Sequence, residues 1–238
     1  MKNTLIVMTL LLTMSSLYAQ KKIKGNGNMT TITRNTSDYD VIKCAGAFDY
    51  ILVAGTEGNI TIEGESNLLA HIITETNGKT LVIKTEDRIN LIPSGKKSIK
   101  ITIPFRDINK VSLAGSGNMW SVDTIKAENF EVALAGSGDI KLKIETSSTK
   151  GKVAGSGDLE LMGTTGKLDI SVSGSGDFEG FGLHANDVEA NVAGSGEIEL
   201  VCNGNLKARV AGSGNIKYKG NPKTEDTKVA GSGKVKHL

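Results

Sequence analysis

The chain has 238 residues, enough for one or two domains with a buried core. Its 28 basic and 26 acidic side chains nearly cancel, so neither nucleic acid nor an anionic membrane is indicated as a partner. The 29 glycines do not fall at every third position, which excludes collagen, and the Val, Ile and Leu between them exclude a disordered polar chain.

The N-terminus reads "MKNTLIVMTLLLTMSSLYAQKK". Lys2 supplies a positive start, Leu5 to Leu12 an apolar stretch, and Ala19 a small residue at a cleavage point. Residues 1–19 are therefore expected to be a cleaved export signal, placing the mature chain in the periplasm or at the cell surface. The apolar run is short for a membrane span, and no later segment is apolar enough for one.

Residues 20–110 read as β-rich but irregular. "TTITRN", "YDVIKCA", "YILVAG", "NITIEG", "TLVIKT" and "SIKITIPF" alternate as strands do, while "NGK" at 77–79 and "PSGKK" at 93–97 are turn signals. Cys44 and Cys202 are the two cysteines. An even count in an exported chain admits a disulfide, but Cys44 occupies an apolar strand position and neither has metal-type spacing, so buried free thiols are expected.

Residues 111–238 carry a repeat. "GSG" occurs seven times, centred on Ser116, Ser137, Ser156, Ser175, Ser195, Ser213 and Ser232, at spacings of 21, 19, 19, 20, 18 and 19. Three residues before each serine stand Leu113, Leu134, Val153, Val172, Val192, Val210 and Val229, and three after stand Met119, Ile140, Leu159, Phe178, Ile198, Ile216 and Val235. Polar residues fill the positions between, which is period-two alternation with one buried face. Each unit reads as strand, bend, strand. By parity both glycines of the bend face inward, where a Cβ would meet the chain's own turn, and the serine faces out. A hairpin meander would vary its turns; the same bend about every 19 residues predicts a parallel β-solenoid with like residues stacked in columns. "VIKCAGAFDYILV" imitates one unit, so looser coils are expected back to about Gly25.

The "GNGN" at 25–28, "YDVIKCAGAFDYILVAG", "NLLAHIITETNGKTLVIKT" and the "AGSGD" series resemble the family of exported bacterial proteins known as "putative auto-transporter adhesin, head GIN domain". The resemblance covers nearly the whole mature chain. It implies an all-β, right-handed parallel β-helix on the cell envelope, and it brings no catalytic residues. The chain is expected to depart from the auto-transporter part of that description, since the "GSGKVKHL" on which this sequence closes leaves no room for a membrane-spanning barrel.

Candidate chemistry is sparse. Two residues after the bend serines stand Asn118, Asp139, Asp158, Asp177, Glu197, Asn215 and Lys234, which stacking would turn into an acid ladder. Asp139, Asp158, Asp177 and Glu197 are expected to be exposed, with partners in their own turn and no metal, because Asp suits a wet turn. The seven serines lack the Gly-x-Ser-x-Gly elbow and read as a structural column. His71, His184 and His237 lie near no motif that would make them bases. A non-enzymatic adhesin or scaffold without cofactor is the leading reading. Its partner is unidentified: an envelope or host-surface glycan or protein, or a second copy through the solenoid ends. The alternatives are a polysaccharide lyase or hydrolase on a β-helix and a self-assembling envelope module. Coils of about 19 residues leave no loops to build a cleft, and Trp120 is the single tryptophan available for stacking on a sugar.

Overall fold

A computed structural model describes residues 20–238. The expected export signal, residues 1–19, lies outside the described residues. The described chain winds into a β-solenoid of about 7 turns, each about 19 residues long. In chain order the N-terminal part holds β1 (Lys21–Lys24), β2 (Met29–Asn35), β3 (Val41–Ala45), β4 (Asp49–Ala54), β5 (Asn59–Glu65), the short helix α1 (Ser66–Leu69), β6 (Ile72–Asn77), β7 (Thr80–Thr85), β8 (Ile89–Ile92) and β9 (Lys100–Phe105). The repeat array follows as β10 (Lys110–Gly115), β11 (Asn118–Gly136), β12 (Asp139–Gly155), β13 (Leu159–Gly174), β14 (Phe178–Gly194), β15 (Glu197–Cys202), β16 (Asn205–Gly212), β17 (Asn215–Lys219), β18 (Thr224–Gly231) and β19 (Lys234–His237). Coils are numbered below by their bend serine, from Ser116 in coil 1 to Ser232 in coil 7.

The apolar columns are stacked in register. Val153 lies beside Val172, Val172 beside Val192 and Val192 beside Val210, all in parallel pairings and all buried. Met119, Ile140, Leu159, Phe178, Ile198 and Ile216 form the matching column after the bend. Each such side chain contributes about 1.5–3 kcal/mol by leaving water, but only because the next coil covers it. The columns adjust to one another. Gly151 stands where its neighbours have Val132 and Ile170, and the Ile170 side chain fills the room a Cβ at 151 would need. Coils of unequal length absorb the difference at register shifts between Trp120 and Thr124, between Glu160 and Gly163 and between Glu179 and His184, leaving the bends in line. Cys44 joins the column through Leu113, and both cysteines are buried free thiols.

The bend differs from the parity expectation. The first glycine of each "GSG" is not inward: it is exposed or half-exposed and has φ between +117 and +131, from Gly115 to Gly231. The second glycine is buried in coils 1 to 6. A Cβ there would lie closer than 3.0 Å to the backbone oxygen one coil back, such as Gly138 O for Gly157, rather than to its own turn. The two glycines therefore serve different needs, left-handed backbone at the first and close approach of coils at the second. Between coils the bend is bonded by backbone alone: the N–H groups of Ser156 and Gly157 both donate to the Gly136 carbonyl, at 2.9 and 3.1 Å.

Towards the N-terminus the parallel pattern continues for two more layers and then stops. β3 and β4 pair with β10 and β11, and β7 and β9 pair in parallel on β3 and β4. Gly46 of "AGAF" repeats the first bend glycine at φ +126, with Phe48 in place of the second. Beyond that layer the pairings β2–β5, β5–β9 and β6–β7 are antiparallel, and β1 and β8 form a separate two-stranded parallel sheet, so the stacked coils do not run on to Gly25. The "NGK" turn closes the β6–β7 hairpin with Gly78 at φ +59. These strands and α1, with Leu68 and Leu69 buried, cover the end of the core.

A buried carboxylate ties this cap together. Glu65, 1% exposed, accepts the Ser94 hydroxyl at 2.6 Å, the Ser94 N–H at 2.7 Å and the Gly27 N–H at 2.5 Å. It thus links the "GNGN" and "PSGKK" turns, and its carboxyl sits where a Cβ on Gly25 would stand. Its pKa is lowered from 4.5, chiefly by the Ser94 hydroxyl and then the Ser94 N–H.

Two outcomes follow for thermal and urea melts. Gly157→Ala is expected to cost about 1–3 kcal/mol through overpacking against the neighbouring coil, whereas Ser156→Ala, at an exposed side chain, changes stability by under about 0.5 kcal/mol. Equal midpoints for the two would mean that the coils separate freely at the bend. A carboxyl with a lowered native pKa stabilises the fold above its unfolded value and loses that contribution as pH falls through the native value. Glu65→Gln is therefore expected to flatten the fall in urea midpoint below pH about 4.5. An unchanged acid limb would show that this carboxylate does not set it.

Candidate functional site

Alternation places every second residue after the bend on one outward face of the solenoid. Two outward columns run along it. The first reads Lys100, Asp49, Asn118, Asp139, Asp158, Asp177, Glu197, Asn215 and Lys234 in spatial order, as the register of the flanking strands shows. The second reads Thr102, Ile51, Trp120, Lys141, Glu160, Glu179, Glu199, Lys217 and Lys236.

The acid ladder is real in geometry but its bonding is not local. Asp139 is exposed, whereas Asp158, Asp177 and Glu197 are half-buried. Asp139 Oδ1 accepts the N–H of Asp158 at 3.1 Å, Asp158 Oδ1 that of Asp177 at 3.0 Å, and Asp177 Oδ1 that of Glu197 at 2.7 Å. Each carboxylate reaches one coil forward, not back into its own turn. The ladder is thus a seam between coils, which offsets repulsion of about 1 kcal/mol in water, or several-fold more at a partly shielded site, between charges one strand spacing apart. Glu197 ends the seam in an ion pair with Lys217 at 2.5 Å.

The second column was not singled out in the sequence, although it has the same parity and lies two residues further on. Glu160, Glu179 and Glu199 double the acidic charge of coils 3 to 5. The Glu179 carboxyl is raised above its ordinary range by burial, then by Glu160, Asp158 and Glu199 around it. A shallow cavity of about 250 Å³ opens between Asp139, Lys141, Asp158, Glu160 and Glu179. At the N-terminal end the same face turns apolar. Trp120 lies beside Ile51, Val53 beside Pro104, and Val122 is 51% exposed. Trp120 is half-buried and outward rather than a core residue.

The bend serines Ser116, Ser137, Ser156, Ser175, Ser195, Ser213 and Ser232 form an exposed row beside this face. The histidines do not join them. His71 Nδ1 lies 2.8 Å from Glu86, His237 stacks on Tyr218 with centroids 4.9 Å apart, and His184 lies between Thr164 and Val201. Among the described residues no group of three or more His, Cys, Asp or Glu side chains is arranged to hold a metal ion. A larger open groove of about 780 Å³ runs on the strands before the bend in coils 4 to 7, lined by small and apolar residues such as Val192, Ala193 and Val210, with Arg209 and Lys228 at its side.

The seam makes Asp158 a discriminating position. Asp158→Asn keeps an oxygen for the Asp177 N–H and removes repulsion from two neighbours, so it is expected to be neutral or slightly stabilising at low salt, the difference shrinking as salt rises. Asp158→Ala leaves that N–H unpaired and is expected to cost about 1 kcal/mol. Melting both variants with calcium and with chelator checks the assignment: a calcium-dependent rise in the native midpoint that Asp158→Asn abolishes would make the ladder a metal site.

Several solved structures share this fold. The crystal structure of a putative adhesin from Bacteroides fragilis superposes with a TM-score of 0.84 at 24% identity, covering 91% of this chain and 100% of that one. A putative lipid binding protein from Parabacteroides distasonis gives 0.76 at 28% identity, covering 92% and 100%. A putative adhesin from the same species gives 0.74 at 21% identity, a likeness of fold alone. No protein of curated function is significantly similar to this chain. The family described as "putative auto-transporter adhesin, head GIN domain" matches residues 38–222, more than half of the sequence, and the chain belongs to that family.

Proposed function

We propose that this chain is an exported, non-enzymatic protein whose rigid solenoid presents its lateral face for adhesion. The observation that carries the reading is the shape of that face. Strands of successive coils lie flush, joined by three-residue bends, so extended rows of side chains are displayed with no loops to enclose a substrate. Family membership and the adhesin relatives support it. The apolar end, with Trp120, Val122, Ile51 and Val53, is the natural anchor, because an outward aromatic with aliphatic neighbours gains most by being covered. Among the described residues no helix is long and apolar enough to cross a membrane.

A second reading has one specific observation behind it. The 780 Å³ groove is lined largely by apolar atoms, with the cationic Arg209 and Lys228 beside it, which suits an anionic amphiphile. The relative from Parabacteroides distasonis described as a putative lipid binding protein makes the same suggestion.

Residues 20–238, immobilised over a panel of envelope and host-surface glycans and proteins, are expected to retain at least one class of ligand and leave every polymer at its original length. Trp120→Ala with Val122→Ser is expected to weaken that retention at least about fivefold without moving the thermal midpoint. Shortening of any glycan would make the chain an enzyme. Retention that ignores the double variant but falls with Lys228→Glu and is competed by fatty acid would move the site to the groove.

A further inference from the structure

We infer that the lateral face bearing the acid ladder is also an interface for a second copy of this chain, docked face to face about a two-fold axis through coil 5. The basis is a contrast between two faces of one solenoid. On the strands before the bend, one column, from Lys110 to Asp226, alternates in sign except where Asp169 meets Glu189, and unlike neighbours neutralise each other: Lys110 pairs with Glu131 at 3.0 Å, Lys150 with Asp169 at 3.6 Å, and Lys207 with Glu189 at 2.6 Å. On the face after the bend they are segregated. Coils 3 and 4 present Asp158, Glu160, Asp177 and Glu179, while coils 6 and 7 present Lys217, Lys234 and Lys236 in the same two columns. Lys234 and Lys236 are exposed, and Lys236 stands directly beside Lys217. Within the chain Lys141 pairs with Glu160 at 2.8 Å and Lys217 with Glu197 and Glu199, and no ion pair among the described residues covers Asp158, Asp177 and Glu179 in one block or Lys234 and Lys236 in the other.

A two-fold axis lying in the plane of the interface, perpendicular to the solenoid axis, resolves both blocks at once. With the axis at coil 5, coil 6 of one copy meets coil 4 of the other, and coil 7 meets coil 3. Each column of one copy then faces the same column of its mate. Lys234 comes opposite Asp158, Lys236 opposite Glu160, and Lys217 opposite Glu179, and the symmetry doubles every pair. At the axis itself Glu197 and Glu199 are already covered by Lys217, at 2.5 and 3.6 Å. The shallow cavity beside Asp158, Glu160 and Glu179 holds one cation of this chain, Lys141, against three nearby acids, so an incoming lysine still meets excess negative charge. The crowding that raises the Glu179 carboxyl is relieved by the same docking. The edge of coil 7 is a poorer interface. There Glu225 stands beside Leu206 and Thr227 beside Ala208, so polar groups occupy core columns, and lysines line the strands. This dimer does not depend on the adhesive reading.

Sedimentation velocity on residues 20–238 at about 20 mM and about 500 mM salt tests it. The native chain is expected to dimerise at low salt and to dissociate at high salt. Glu160→Lys, and separately Lys236→Glu, are each expected to weaken association at least about tenfold, at little-changed thermal midpoints, because each juxtaposes like charges. An equal mixture of the two variants is expected to form a heterodimer, and a chain carrying both changes is expected to dimerise again. A native chain that stays monomeric at about 100 μM in low salt overturns the inference. So does a dimer that either change leaves intact, or a chain with both changes that remains monomeric.

Discussion

Every other feature depends on one constraint: each coil must hydrogen-bond to the next through its backbone, in register, at the spacing of a parallel sheet. Parallel stacking brings a residue against its own counterpart one coil away. A bend that suits one coil must therefore suit the coil before and the coil after. This is why the second bend glycine is indispensable in a sense that no single turn would require. At Gly138, Gly157 and Gly176 the space for a Cβ is taken by a carbonyl of the preceding coil, itself offered by a glycine. The first glycine answers a different demand, the left-handed backbone that turns the strand.

The same constraint decides how polar groups behave. An isolated aspartate after a turn would satisfy its own loop. Stacked, it finds the N–H of the next coil nearer, and the column becomes a seam of charge-assisted bonds running along the axis. Stacking also concentrates charge. A column repeats whatever the sequence writes, so the chain must alternate signs, as it mostly does in the column from Lys110 to Asp226, or tolerate blocks of one sign, as it does after the bend. The apolar columns pose the equivalent steric problem, and Gly151 against Ile170 shows one solution. At the N-terminal end stacking has no further coil to call on. There antiparallel strands, α1 and the buried Glu65 take over, and ordered turns replace repetition.

For function, the consequence is a surface of rows instead of a cleft. In the repeat array coil length varies at the register shifts after Trp120, Glu160 and Glu179, by a residue or two, so no described coil there grows the loops from which a pocket is built. Belonging to the family described as "putative auto-transporter adhesin, head GIN domain" agrees with such a surface. Its chemistry is graded along the axis, from an apolar end around Trp120, through a carboxylate block, to a lysine end.

The sequence by itself determined the repeat, the strand–bend–strand unit, the identity of the stacked columns and the outward row of serines, because period two and a recurrent "GSG" leave few ways to bury Val153, Val172, Val192 and Val210 together. It was also sufficient for the family, through "GNGN" and the "AGSGD" series. Only the tertiary structure separated the roles of the two bend glycines, since one role concerns a neighbouring coil that no single unit contains. It alone turned the acids into a seam, set Glu160, Glu179 and Glu199 beside them, and placed Trp120 outward next to Ile51, which is distant in the chain. It also showed where the solenoid yields to antiparallel strands, for pairing direction depends on which chain segment returns to an edge, and alternation along a strand is the same for both.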